Sequence, residues 1–163
     1  MPRKKTAGGT PATVALDAAA VPFTVHEYAH DPAASSYGAE AAEVLAVPPA
    51  RVFKTLLAET DGALAVAVVP VSGQLDLKAL ATALGAKRAT MADPTAAERS
   101  TGYVLGGISP LGQRKKLRTV IDTTALTHPT VYVSAGKRGM EIELAPADLV
   151  RLTNAVTWDI GRR

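Results

Sequence analysis

Lys54 lies in Arg51-Val52-Phe53-Lys54-Thr55-Leu56-Leu57-Ala58, a run that otherwise reads as a buried strand. On a strand, Val52, Lys54 and Leu56 share one face and Phe53, Thr55 and Leu57 the other. An ammonium group is costly to bury without an anionic partner. A mid-strand lysine therefore either snorkels to the rim or faces a polar pocket. The chain contains no cysteine, which excludes a thiol nucleophile, thiolate metal sites and disulfides. Lys54 is thus the best single pointer to a functional cavity. Gly106-Gly107-Ile108-Ser109-Pro110 is the second pointer. Paired glycines let backbone N–H groups approach a ligand closely and hold a carbonyl oxygen as negative charge develops on it. A tight crossover loop is the ordinary alternative, and spacing alone favours it. Ser134-Ala135-Gly136-Lys137-Arg138-Gly139 is the third, with an ordinary hairpin loop as its alternative.

Tyr28 and Tyr37 flank the Asp31-Pro32 loop. Each could stack on a base, an interaction worth about 1–3 kcal/mol, or pack half-buried against the core. His26 and His30 are four apart, as metal ligands on a helix would be, but their context is a strand. There four residues span roughly 13 Å, too far for one ion unless the chain bends. His128 precedes Pro129 in a loop. No nucleophile elbow, Walker loop or dinucleotide fingerprint occurs. With three histidines in the chain, a His-activated serine triad is disfavoured. An enzyme built from these residues works with backbone donors, a lysine and the substrate's own groups.

These groups must be positioned by a chain of 163 residues, long enough for one domain with a real core. Hydrophobic residues make up 47%, but with only two Phe and one Trp the core must be aliphatic. No stretch is long and apolar enough to span a membrane, and the basic N-terminus lacks the apolar core of a signal peptide. Absent cysteine fits a cytosolic protein. Net charge is +3, with clusters at Arg3-Lys4-Lys5, at Arg114-Lys115-Lys116 with Arg118, and at Lys137-Arg138. A solvated surface explains any one of them. Two lie beside glycine-rich loops, as an anion-facing rim would require.

Residues 1–9 read as a disordered basic tail. Helices are expected from Thr10-Pro11 to Ala20, Glu40 to Leu45, Asp76 to Leu84, from Asp93-Pro94 to a stop before Gly102, and from Pro146 onward. Strands are expected at Val21–Tyr28, around Lys54, at Ala63–Val71 after an Asp61-Gly62 turn, at Lys87–Thr90, Leu117–Asp122, Thr130–Ser134, Met140–Leu144 and Val156–Ile160. Residues 31–38 and 106–112 read as loops. Strands and helices mix without clean βαβ alternation, which gives an α/β or α+β domain on a mixed sheet.

Several segments together resemble the bacterial YbaK/EbsC family of free-standing aminoacyl-tRNA deacylases, related to the editing domain of prolyl-tRNA synthetase. They include Val21-Pro22-Phe23, His26-Glu27-Tyr28, Tyr37-Gly38, Val52-Phe53-Lys54-Thr55-Leu56, Thr101-Gly102-Tyr103, the Gly106 to Gln113 run and Tyr132 to Gly139. The resemblance extends from about residue 10 to residue 160 in order. It implies a single editing domain over residues 10–163. The implied fold is a mixed, partly closed sheet or barrel surrounded by helices, with a pocket for the 3′-terminal adenosine carrying the amino acid. It further implies that Lys54 meets the terminal phosphate or ribose, that Gly106, Gly107, Ser109 and Pro110 shape the amino-acid pocket, and that Tyr28, Tyr37 and Ser134 line it. No cofactor or metal is implied.

Within the family, these loops are similar to the subgroup that clears cysteine from proline tRNA, Cys-tRNA(Pro), where the substrate thiol attacks its own ester. Cys-tRNA(Cys) is a further candidate substrate. The alternatives are an alanine editor acting on Ala-tRNA(Pro), or a non-catalytic module that binds tRNA ends or a protein partner. The expected partners are aminoacyl-tRNA and, because tRNA choice must come from outside the pocket, prolyl-tRNA synthetase. Lys115, Lys116, Arg118, Lys137 and Arg138 are expected to meet acceptor-stem phosphates. One departure is Ala46, where many relatives carry glycine after the second helix.

Overall fold

The structure, a computed structural model, describes residues 9–34 and 36–162. The expected basic tail therefore lies, apart from Gly9, outside the described residues. The helices are α1 (Pro11–Ala19), α2 (Tyr37–Val44), α3 (Leu77–Leu84), α4 (Pro94–Thr101) and α5 (Pro146–Thr153). The strands are β1 (Phe23–Glu27), β2 (Phe53–Thr60), β3 (Ala63–Pro70), β4 (Gln74–Leu75), β5 (Ala89–Met91), β6 (Arg118–Asp122), β7 (Val131–Lys137), β8 (Met140–Leu144), β9 (Val156–Trp158) and β10 (Gly161–Arg162).

The strands form three open sheets, ordered β5-β2-β3-β6-β9, β1-β8-β7 and β10-β4. The first is mixed: β2 is antiparallel to β3 and β5, whereas β3–β6 and β6–β9 are parallel. Both of its faces are covered. On β3, Ala65, Ala67 and Val69 face Leu80 and Leu84 of α3, and the small alanines let that helix come close. Val66 and Val68 face the opposite way, into a larger core with Leu16 of α1, Leu149 of α5, and Val131, Val133, Ile142 and Leu144 of the three-stranded sheet. This period-two alternation leaves the three-stranded sheet with a polar outer face bearing His26, Tyr132, Ser134, Glu141 and Glu143.

Several boundaries differ from the sequence reading: β1 is confined to Phe23–Glu27, β5 is shifted to Ala89–Met91, β9 stops at Trp158, and two further changes shape the site. Helix α2 starts at Tyr37, because the Ser36 hydroxyl accepts the Ala39 N–H and caps it there. Strand β7 runs to Lys137, leaving only Arg138 and Gly139 as the turn, because a bulge between Ser134 and Lys137 absorbs the extra residues. The two-residue strands β4 and β10 carry too short a pattern to be read from sequence.

Helix α2 ends in a paired cap: the Ala46 N–H donates to the Glu43 carbonyl and the Val47 N–H to the Ala42 carbonyl. This puts Ala46 at φ 55°. A left-handed L-residue is strained by about 1–2 kcal/mol, partly offset by the lower unfolded-state entropy of alanine relative to glycine. Ala46→Gly should therefore stabilise the fold by about 0.5–1 kcal/mol. Thermal unfolding should show this as a melting temperature raised by about 1–4 °C. A lowered midpoint would show that the cap carries no strain.

Candidate active site

Strand β3 occupies one edge of β2 along its whole length. The other edge is shared. Tyr132 of β7 bridges to Val52 at its start, and β5 pairs only with Ala58–Thr60 at its end. Between them β2 has no strand partner on this edge among the described residues, and a cavity of about 260 Å³ lies there. Phe53, Lys54, Thr55 and Leu56 form its β2 side, so residues from both faces of the strand reach it. Tyr28, Ser36, Tyr37 and Gly38 line a second side, Leu105, Gly106 and Ile108 a third, and Ser134 and Glu141 the polar floor.

Lys54 is half-buried, and its Nζ donates to the Gly73 carbonyl at 3.0 Å. It has no carboxylate partner among the described residues, and burial holds its pKa below the usual lysine range. The carboxyl of Glu141, which sequence reasoning missed, is 7% exposed. Burial pushes it up to about 8, which favours its protonated, hydrogen-bond-donating form. Burial also raises the Tyr28 hydroxyl to about 12, helped by the nearby Glu141 and Glu40 carboxylates. The Thr55 hydroxyl is buried with no hydrogen-bond partner among the described residues. The signal for Glu141 was the β7–β8 hairpin register, which sets it opposite Ser134. Its tight burial was not visible in the sequence.

The mouth is interlocked. The Arg138 guanidinium donates to the Leu105 carbonyl at 2.6 and 3.1 Å and lies 4.7 Å from the Tyr37 ring centroid. Gly106 has φ 84°, and a Cβ there would meet Tyr37 at 2.5 Å and Arg138 Nε at 2.8 Å. Tyr37 also packs on His30 at 5.3 Å between centroids, and His30 Nδ1 is 2.7 Å from Glu40 Oε1. The other histidine of the sequence pair, His26, instead meets Glu143 at 2.9 Å. No three metal-binding side chains cluster among the described residues.

The cavity thus gathers Lys54, Gly106, Tyr28, Tyr37 and Ser134 from the sequence expectation. It does not gather Gly107, Ser109 or Pro110. The Gly107 N–H donates to the Val104 carbonyl at 2.9 Å, and its Cα packs so closely on Lys137 that a Cβ would come within 2.8 Å of backbone. Ser109 is fully buried, its hydroxyl accepting the Leu111 N–H at 3.2 Å. Pro110 lines a separate cleft together with Lys115 and Lys116. Lys116 and Arg118 line another, and the Arg118 guanidinium donates to the Leu84 carbonyl at 3.0 Å. Neither cleft shares a lining residue with the cavity. Of the five cations expected on RNA, Arg138 is committed to the mouth and the exposed Lys137 sits beside it.

A profile described as the aminoacyl-tRNA editing domain matches residues 30–152. The chain belongs to this family. An Enterococcus faecalis (strain ATCC 700802 / V583) protein named “Putative Cys-tRNA(Pro)/Cys-tRNA(Cys) deacylase EbsC” is 40% identical over 157 residues, 94% of each chain. An Escherichia coli (strain K12) protein named “Multifunctional Ser/Thr-tRNA deacylase ProXp-y” is 31% identical over 87 residues, 53% of this chain and 52% of its own. A crystal structure described as that of “a putative trans-editing enzyme for prolyl tRNA synthetase” shares the fold, with a TM-score of 0.77 at 24% identity over 86% of this chain and 87% of that one. The matched range, from His30 beside the mouth to Leu152 in α5, takes in every lining residue of the cavity except Tyr28.

Glu141 should be visible in the stability of this editing domain. Its folded-state pKa of about 8 lies above the ordinary 4.5. Its stabilising contribution is therefore complete below the unfolded value and is lost as pH rises through about 8. Glu141→Gln keeps the neutral form at every pH. Denaturant unfolding from pH 5 to 9 should show the variant gaining on wild type as pH rises. A pH-independent difference would mean that the carboxyl is ionised throughout.

Proposed function

We propose that this protein is a trans-editing deacylase that removes cysteine from mischarged Cys-tRNA(Pro), with Cys-tRNA(Cys) as a further substrate. The observation that carries the reading is Lys54, a half-buried cation without a carboxylate partner at the edge of a cavity that contains no histidine and no protein thiol. The family match and the name of the Enterococcus faecalis relative support the substrate class. The work takes place where tRNA is charged and used, in the cytoplasm. Among the described residues no helix is long and apolar enough to cross a membrane.

An aminoacyl ester is already activated, so the protein's task is orientation and charge stabilisation. Lys54 meets the phosphate or ribose of the terminal adenosine. The Gly106 N–H, which donates to no group among the described residues, is the backbone donor for the ester carbonyl, a role denied to Gly107 by its bond to Val104. The substrate sulfur attacks that carbonyl carbon, and the carbon–oxygen bond to the ribose breaks. The thiol proton passes to the departing ribose oxygen, leaving a cysteine thiolactone and uncharged tRNA. The neutral Glu141 carboxyl and the Tyr28 hydroxyl present protons toward the same space. Prolyl-tRNA synthetase is the partner that would supply tRNA selection, because correct and incorrect charging here carry the same amino acid.

The test is a deacylation panel of cysteine, serine, alanine and proline on proline tRNA, with cysteine on its own tRNA. Cysteine should be released well ahead of serine, since a hydroxyl is a far weaker nucleophile than a thiol. Equal rates on serine would favour pocket-activated water and a substrate range closer to that named for the Escherichia coli Ser/Thr-tRNA deacylase. Fastest release of alanine would give the alanine editor, and no release above the uncatalysed rate a binding module. Lys54→Ala should lower kcat/KM on the order of a hundredfold while circular dichroism stays native. Gly106→Ala should also lose turnover, because its methyl group displaces Tyr37 and Arg138 at the mouth. Unchanged kinetics would reduce that glycine to a turn residue.

A further inference from the structure

Lys54 lines two cavities. Behind it, a groove of about 530 Å³ runs past Val71, Ser72 and Gly73 to Gln74 and Arg162, a volume suited to a small ligand. Gly38 packs against Val71 where the two spaces meet, so closely that no Cβ fits there. The groove is lined by two cations, Lys54 and Arg162, and by no acidic residue. Arg162 is exposed and forms no ion pair among the described residues. Its backbone is nonetheless fixed: Arg162 pairs with Gln74 across the β4–β10 ribbon. The preceding Ile160 is fully buried, and the buried Asp122 carboxylate accepts the Ile160 and Gly161 N–H groups at 2.9 and 3.0 Å. The adjoining cleft shares Ser72, Gly73 and Arg162 with the groove but adds Asp122 and Asp159, which would turn an anionic strand away on that side.

We propose that this groove seats the nucleotide preceding the terminal adenosine, with Arg162 on its phosphate and the Gln74 amide and Ser72 hydroxyl on its sugar and base. The proposal rests on the aminoacyl-tRNA reading of the main cavity. The acceptor strand then leaves over the β4–β10 ribbon and not across Lys115, Lys116 and Arg118, whose clefts share no residue with the groove.

The probe is a short single-stranded RNA with the CCA end of tRNA, its affinity measured against salt for wild type, Arg162→Glu, and Lys115→Glu with Lys116→Glu. Arg162→Glu should weaken binding about tenfold at low salt and reduce the log–log salt slope by about 0.7, the share of one single-strand phosphate. It should also raise the KM for charged tRNA several-fold more than the KM for 3′-O-cysteinyl adenosine, which has no preceding nucleotide. An unchanged slope and an unchanged KM ratio would overturn the groove, as would a flattened slope in the double lysine variant alone. If wild type binds the RNA through Arg162 yet releases no amino acid, the deacylase reading fails and the groove stands.

Discussion

The site exists because one edge of β2 is divided between two sheets. A strand buried in a sheet ordinarily satisfies its backbone groups on both sides. Here β5 is three residues long and covers only the far end of β2, while β7 touches it at a single bridge. The stretch between faces a cavity, so side chains from both faces of the strand, and every second backbone group on that edge, are within reach of a ligand. Lys54 lies in this stretch, which is why a cation can occupy a strand whose flanking residues Phe53 and Leu57 are core.

The electrostatics of the cavity follow from its shared walls. Lys54 and Glu141 line one space without forming an ion pair, and burial pushes each toward its neutral form, the lysine downward and the carboxyl upward. Pairing them would fill the site with its own salt bridge. Kept apart, they leave an anion-seeking group on the β2 side and a proton donor on the opposite floor. The remaining carboxylates nearby are already committed: Glu40 to His30 and the Asp31 N–H, Glu143 to Thr130, His26 and Arg51.

The mouth is built by close approach. Tyr37 at the start of α2, Arg138 at the β7–β8 turn and the Leu105-Gly106 backbone meet within contact distance, and only glycine at 106 permits it. Arg138 holds the loop by its carbonyl and the tyrosine by its ring face, so a residue that looks like a surface cation from its sequence neighbours serves to fix the pocket wall. Behind this layer, Gly107, Ser109 and Pro110 support the loop without lining the cavity.

What the sequence determined by itself was local and periodic. Alternating apolar residues, the caps at Thr10, Asp76 and Asp93, and the Asp61-Gly62 turn specified three of the five helices and the β2–β3 hairpin, since each depends on interactions within a few residues. The lysine in an apolar strand was equally legible, because burying an unpaired ammonium group is costly wherever the strand goes. The left-handed Ala46 was legible only as a departure from the glycine of relatives. Tertiary structure decided everything that depends on which strands become neighbours. It split the β2 edge, buried Glu141 enough to neutralise it, turned Gly107 and Ser109 away from the cavity, and separated Lys115 and Lys116 from Lys54 while bringing Arg162 to the same groove. Charge clusters that are close in sequence carry no information about which cavity they border, because that depends on strand order and register, which are set by contacts between residues far apart along the chain.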